Sequence, residues 1–221
     1  MSDTTNKPRR KWLQITPYLD HVELDYIVNK YKYNGGCDAW MYMKFWSPLA
    51  DWLVANTLPK WLAANIVTLF GFAWTVVPLI WLLISYGKFM VNPEGVNIPW
   101  WMMVFQSISY FLARLIDEMD GKQARRLKNG SVLGLMVDHG CDAYAIGFFS
   151  FILMKIVQGG DNIYTMIAIN MATFGFYVST LEHYYTAHHF FGNGNMVTDG
   201  SWAVIIGFLV LAFTGNEFFA N

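Results

Sequence analysis

Four aspartates, Asp117, Asp120, Asp138 and Asp142, stand at spacings that could hold divalent metal. On one helix Asp117, Asp120, Gly121 and Ala124 fall at i, i+3, i+4 and i+7, which is a single face; Gly134, Asp138 and Asp142 do the same at i, i+4 and i+8. Two helices opposed through these stripes bring the carboxylates together, and their repulsion calls for a cation between them. Oxygen-only ligands select Mg²⁺, Mn²⁺ or Ca²⁺ over zinc. Four aspartates can balance two Mg²⁺ ions and still leave places for phosphate oxygens and water. Gly121, Ala124 and Gly134 lack bulk on the same faces, leaving room for a flat ligand or a close helix approach. Arg125, with Lys122 nearby, offers cations to the phosphates of such a site. Taken singly, an Asp at a helix end is a cap or a solvated charge, and small residues in a membrane helix simply pack. The spacing of the whole set argues for chemistry.

The elements that must position these residues are membrane helices. Hydrophobic residues make up 55% of the 221, aromatic residues 18% and charged residues only 14%, and the mean hydropathy is +0.29. This composition predicts an all-α, polytopic helical bundle. The formal net charge of −1 argues against a nucleic-acid binder. Cys37 and Cys141 show no metal-type spacing and are expected as reduced thiols.

Residues 1–36 form a polar N-terminal extension whose Lys7, Arg9, Arg10 and Lys11 precede any apolar run, so no cleavable signal peptide is expected. Tyr33–Gly36 marks a turn. Residues 37–60 then read as an interfacial amphipathic helix, because Trp40, Met41, Met43, Phe45, Trp46, Leu49, Trp52 and Leu53 are mixed with Lys44, Asp51 and Asn56. Residues 61–221 form the transmembrane domain, with spans expected at 61–86, 98–117, 133–157, 163–186 and 201–215 against the roughly 20 residues a bilayer requires. Pro78 is a place for a kink in the first span, and Arg114 is a cost in the second unless it snorkels or pairs. Eight Lys/Arg in residues 1–60 and four between Lys122 and Lys128, against Lys88 and Lys155 on the opposite side, put the aspartates on the cytoplasmic side. The loop from Ala187 to Gly200 falls on that side too. Asp138 and Asp142 then lie one to two turns below a surface that both a nucleotide and a lipid can reach.

The run from Asp117 to Asp142 reads Asp-x2-Asp-Gly-x2-Ala-Arg-x8-Gly-x3-Asp-x3-Asp without substitution, and it resembles the full signature of the CDP-alcohol phosphotransferases. From about Lys32 to Gly200 the chain is similar to the eukaryotic choline/ethanolamine branch, through Pro59–Thr68, Asp120–Arg126, Asp138–Asp142 and, more loosely, Leu181–Thr186. The resemblance implies transfer of phosphocholine or phosphoethanolamine from a CDP-alcohol to diacylglycerol, with release of CMP, in phospholipid biosynthesis. It implies Asp117, Asp120, Asp138 and Asp142 as carboxylates for two Mg²⁺ or Mn²⁺ ions, and Asp142 as the family's usual base. His139 is a rival base, since imidazole titrates near neutrality. Asn65 and Thr68 match the family's first-helix Asn-x-x-Thr and are expected to flank the nucleotide with Gly121, Lys122, Ala124, Arg125 and Gly134. Glu182 is expected to support the site from behind. His183, His188 and His189 read as exposed loop histidines rather than a metal trio.

The family core has six spans, whereas five are counted here, and the glutamate usual before the next span is replaced by Asp199. In the family the further helices help enclose the lipid-accepting chamber and form the dimer contact, and a homodimer or a larger membrane complex is expected among the partners. The alternative function is a family-derived structural subunit of a larger membrane assembly, holding lipid or nucleotide without turnover. The transferase reading places the chain in the endoplasmic reticulum or Golgi, the alternative in a membrane such as the mitochondrial inner membrane.

Overall fold

The computed structural model describes residue 25 and residues 35–37, 39–92, 96–186, 189–191 and 199–215. Of the unit Met1–Lys32 only Asp25 is described; the other described residues belong to the unit Tyr33–Asn221. The polar extension expected at 1–36 thus falls largely outside the described residues.

Helices dominate, as the composition predicts. A π-helical turn at Tyr42–Trp46 leads into α1 (Ser47–Asn56), followed by α2 (Ala64–Tyr86), α3 (Trp100–Leu127), α4 (Val132–Ile156), α5 (Ile163–Thr186) and α6 (Gly200–Thr214). The expected turn at Tyr33–Gly36 is corrected in its second half. Gly35–Cys37 (β1) is extended and pairs in parallel with His189–Phe191 (β2), Gly35 opposite His189. The parallel partner strand takes up the backbone polar groups of this stretch in place of a turn.

Five helices lie where five spans are expected. One of them, α2, is long and apolar enough to cross a membrane by length and composition; α6 is apolar but has 15 residues. Pro78 sits buried inside α2, which runs on through it. The second expected span differs most, for α3 continues ten residues past position 117 and carries the aspartate stripe as unbroken helix. Nothing between Asp117 and Arg126 breaks a helix except Gly121, whose penalty of about 1 kcal/mol the flanking good formers absorb. The helix stops at Lys128, which takes a left-handed conformation (φ 54°) so that its N–H and that of Asn129 bond back to the last carbonyls. Ser131 then starts α4, its hydroxyl accepting from Gly134 N at 3.0 Å. The eight-residue gap of the motif is therefore spent on stopping one helix, turning and starting the next.

Antiparallel α2 and α3 pack closely. At Gly71 a methyl group would come within 3.1 Å of Ile116 Cγ2. Helix α2 also packs on α4, α3 on α6 and α4 on α5, whereas α3 and α4 barely touch. One core joins α2, α3, α4 and α6 around Leu82, Met102, Ile152 and Phe208; a second joins α1 to α3 and α6 around Trp46, Ala50, Leu115 and Ile205. The α1 region buries Trp46 and Ala50 while exposing Trp40, Met43 and Trp52.

Lys155 is a correction. Expected on an outer loop, it is fully buried in α4 and donates to Tyr86 O and Asn92 Oδ1, both at 2.8 Å, and to Phe89 O. It ties α4 to the segment following α2, because a buried ammonium needs its three protons accepted. Lys155→Met is expected to cost about 2–4 kcal/mol by leaving those oxygens unpaired. Unfolding in detergent should show the loss as a fall in Tm; an unchanged Tm would refute it.

Candidate active site

The aspartate stripes of α3 and α4 meet at one end of the bundle, beside the core that holds α1. Asp117, Asp120 and Asp138 each offer a carboxylate oxygen, and these lie within 4.8 Å of one another. Asp142 lies outside that group of three, one turn beyond Asp138 on the same face of α4. The carboxylates meet where α3 and α4 come together, two helices that touch little elsewhere. The close helix approach that the small residues suggested is found between α2 and α3 instead.

Thr68 reaches the aspartates, its hydroxyl donating to Asp120 Oδ2 at 2.5 Å. Asp120 is only 5% exposed, so this donor replaces solvation the carboxylate has lost. Thr68→Val keeps the shape and removes the donor; we expect a loss of about 1.5–3 kcal/mol in unfolding free energy, and an unchanged stability would contradict the contact. Asn65 approaches α4: a methyl at Gly134 would meet Asn65 Oδ1 at 3.3 Å. Gly134 therefore makes room for Asn65, one turn before Asp138. Arg125 is exposed, its guanidinium over Gly121 on the aspartate face, where Nη1 would lie 3.5 Å from an added methyl. Ala124 lies one turn beyond Asp120 on that face, half-buried.

Other expectations change. Lys122 does not face the carboxylates: it is 8% exposed, and its ammonium binds Asp51 at 2.9 Å and Ser47 Oγ at 2.8 Å on α1. Two residues from Asp120 is some 200° around the helix, which turns the side chain to the opposite face. The same face sends Gln123 Nε2 to the carbonyls of Pro59 and Leu62, and Arg126 Nη1 to those of Val54 and Leu58. Half of the basic motif thus fastens α1 and the α1–α2 linker, with Arg126 satisfying carbonyls at the end of α1. Glu182 is exposed near the end of α5. Its neighbour His183 is half-buried, with its ring 6.3 Å from that of His139. His183 therefore departs from the exposed-loop expectation, while His188 and the His189 side chain lie outside the described residues. His139 also packs against Phe176 at 6.2 Å, so its ring is turned toward α5. Cys141 is a free thiol, as expected.

For Arg114 the sequence left open snorkelling or pairing as the relief of its cost. In the structure it pairs with Asp117 at 2.6 Å and Glu118 at 3.3 Å. The i,i+3 and i,i+4 spacings were the available signal. Tyr42, just before α1, hydrogen-bonds Glu118; burial and then Glu118 push its phenol well above the usual range, so it remains a donor.

A family model described as CDP-alcohol phosphatidyltransferase matches residues 61–214, the whole α2–α6 bundle. The chain belongs to the CDP-alcohol phosphatidyltransferase family. Among curated relatives it is 29% identical over 194 residues to choline/ethanolaminephosphotransferase 1 of Arabidopsis thaliana, covering 88% of this chain and 48% of that protein. It is 32% identical over 174 residues to cholinephosphotransferase 1 of Rattus norvegicus, covering 77% of this chain and 40% of that protein. An uncharacterized class-I family protein of Dictyostelium discoideum is 30% identical over 196 residues, 88% of this chain and 49% of that protein. The chain spans about half the length of the curated relatives it matches or somewhat less. For this family member, carboxylates with a hydroxyl beside them form an all-oxygen donor set that fits Mg²⁺ or Mn²⁺.

Proposed function

We propose that this chain transfers the phosphoalcohol of CDP-choline or CDP-ethanolamine to diacylglycerol in a membrane, forming a phospholipid and CMP. The observation that carries the reading is the convergence of Asp117, Asp120 and Asp138 from two helices, with Asp142 one turn beyond Asp138. The family membership and the names of the plant and rat relatives support the chemistry. A membrane setting is supported by α2 and by the apolar side chains left exposed around the bundle, such as Leu69, Phe70 and Ile84 on α2 and Ile167, Met171 and Phe174 on α5.

In this reading Asp117, Asp120, Asp138 and Asp142 would hold two divalent ions. When bound, these ions supply charge neutralisation of the pyrophosphate and of the departing CMP. Arg125, exposed at the rim, draws the diphosphate in. Asn65 and Thr68 line the α2 side, where the nucleotide lies against Gly121 and Gly134. Asp142 accepts the proton of the lipid hydroxyl as its oxygen attacks the β-phosphorus in line; the P–O bond to CMP breaks and CMP carries the negative charge away. His139 is assigned a supporting role, because its ring packs toward Phe176 and His183. Glu182 is assigned no direct contact with substrate.

The test is to incubate the purified chain in nanodiscs containing diacylglycerol with Mg²⁺ and each CDP-alcohol. CMP and new phospholipid should form in equal amounts. No CMP from either donor would end the reading.

A further inference from the structure

Arg114 sits one turn before Asp117 on α3 and is held from several sides. Nη1 donates to Asp117 Oδ2 at 2.6 Å and Nη2 to Glu118 Oε2 at 3.3 Å, the side chain is 13% exposed, and Cζ lies 6.0 Å from the ring centre of the fully buried Trp46. Asp117, which it holds, is one of the three clustered carboxylates. A guanidinium fixed in this way cannot swing out to a phosphate, and it remains charged at every accessible pH. The neighbouring cations on α3 do not share this role, since Lys122 is engaged by α1 and Arg125 is exposed at the rim.

We propose that Arg114 is a resident counter-charge of the aspartate site. It offsets part of the carboxylate charge before any divalent ion binds, and so it keeps the site assembled while lowering its affinity for those ions. The proposal rests on the reading of the aspartates as metal ligands. Two effects of Arg114 on a cation oppose each other. By orienting Asp117 it would favour binding, as supporting partners of metal ligands do; by its charge it would disfavour it. The charge prevails, because an arriving ion can itself orient Asp117 through the oxygen Arg114 leaves free, whereas the repulsion between ion and guanidinium persists, the Arg114 side chain being only 13% exposed.

The full chain in nanodiscs, its thermal unfolding followed from EDTA through a Mg²⁺ titration, separates these effects. Arg114→Gln should be less stable than wild type in EDTA, and its half-maximal Mg²⁺ concentration for stabilisation should fall roughly tenfold. Arg114→Lys, which keeps the charge without the fork, should stay within about threefold of wild type. A half-point in Arg114→Gln that is unchanged or raised overturns the proposal and makes Arg114 an orienting partner of Asp117. Should Arg114→Gln not fold in EDTA, the double variant Arg114→Gln/Asp117→Asn, which removes both charges, should recover the fold; failure to recover also overturns it. A wild type whose stability ignores Mg²⁺ while still turning over CDP-alcohols would overturn the metal reading beneath it, a result distinct from either variant outcome.

Discussion

Asp142→Asn should reduce CMP release by about a thousandfold or more, because the amide removes both a metal-binding charge and the proposed base in one step. The replacement is isosteric, so the packing of α4 against α2 and α5 should survive, and the loss will be one of chemistry. Asp138→Asn should fall as far through the metal alone, since Asp138 stands in the 4.8 Å carboxylate cluster with Asp117 and Asp120. His139→Ala should lose only about 10–100-fold, as its ring is occupied with Phe176 and His183. Rates measured at saturating Mg²⁺ and CDP-alcohol decide the matter. Complete loss in His139→Ala with metal binding retained would move the base role to the histidine.

Chelation should have an effect of similar size. With EDTA in excess, CMP release should drop to background, and Mg²⁺ or Mn²⁺ should restore it. Sodium chloride at matched ionic strength should not, because a monovalent salt screens the aspartates without bridging them to a pyrophosphate. Restoration by salt alone would mean that the carboxylates need only screening, and the two-ion reading would be wrong. Arg114 keeps the protein from depending wholly on the ions for its fold, so EDTA should halt turnover at temperatures well below unfolding.

The helical architecture was legible because long apolar runs leave few alternatives to helices, and helices α2 to α6 lie at the five expected places, α2 being the one long and apolar enough to cross a membrane. The site was legible through periodicity: positions spaced by three and four share a face, so the two aspartate stripes could be drawn before any coordinates. Partners across helices were hidden. Lys122, Gln123 and Arg126 sit within the same motif as Asp120, yet their side chains leave the opposite face of α3 to hold α1 and the linker after it. A motif gives spacing along a chain, and only packing tells which neighbour each face meets. Lys155 misled for the same reason: charge counting placed it in an outer loop, while the oxygens that receive its ammonium, on residues 86, 89 and 92, come from a distant segment. The two short strands escaped because three-residue pairings between segments some 150 positions apart leave no local pattern.

The carboxylates of α3 and α4 are held here to form one divalent-cation site. The most direct test is electron paramagnetic resonance of Mn²⁺ bound to the full chain in nanodiscs, with Asp120→Asn and Asp138→Asn in parallel. Two bound Mn²⁺ per wild-type chain are expected, with the spectral broadening of ions a few ångströms apart, and each variant should lose at least one ion. Mn²⁺ that binds with the same stoichiometry and spectrum after both substitutions, or no tight Mn²⁺ at all in the wild type, would contradict the site.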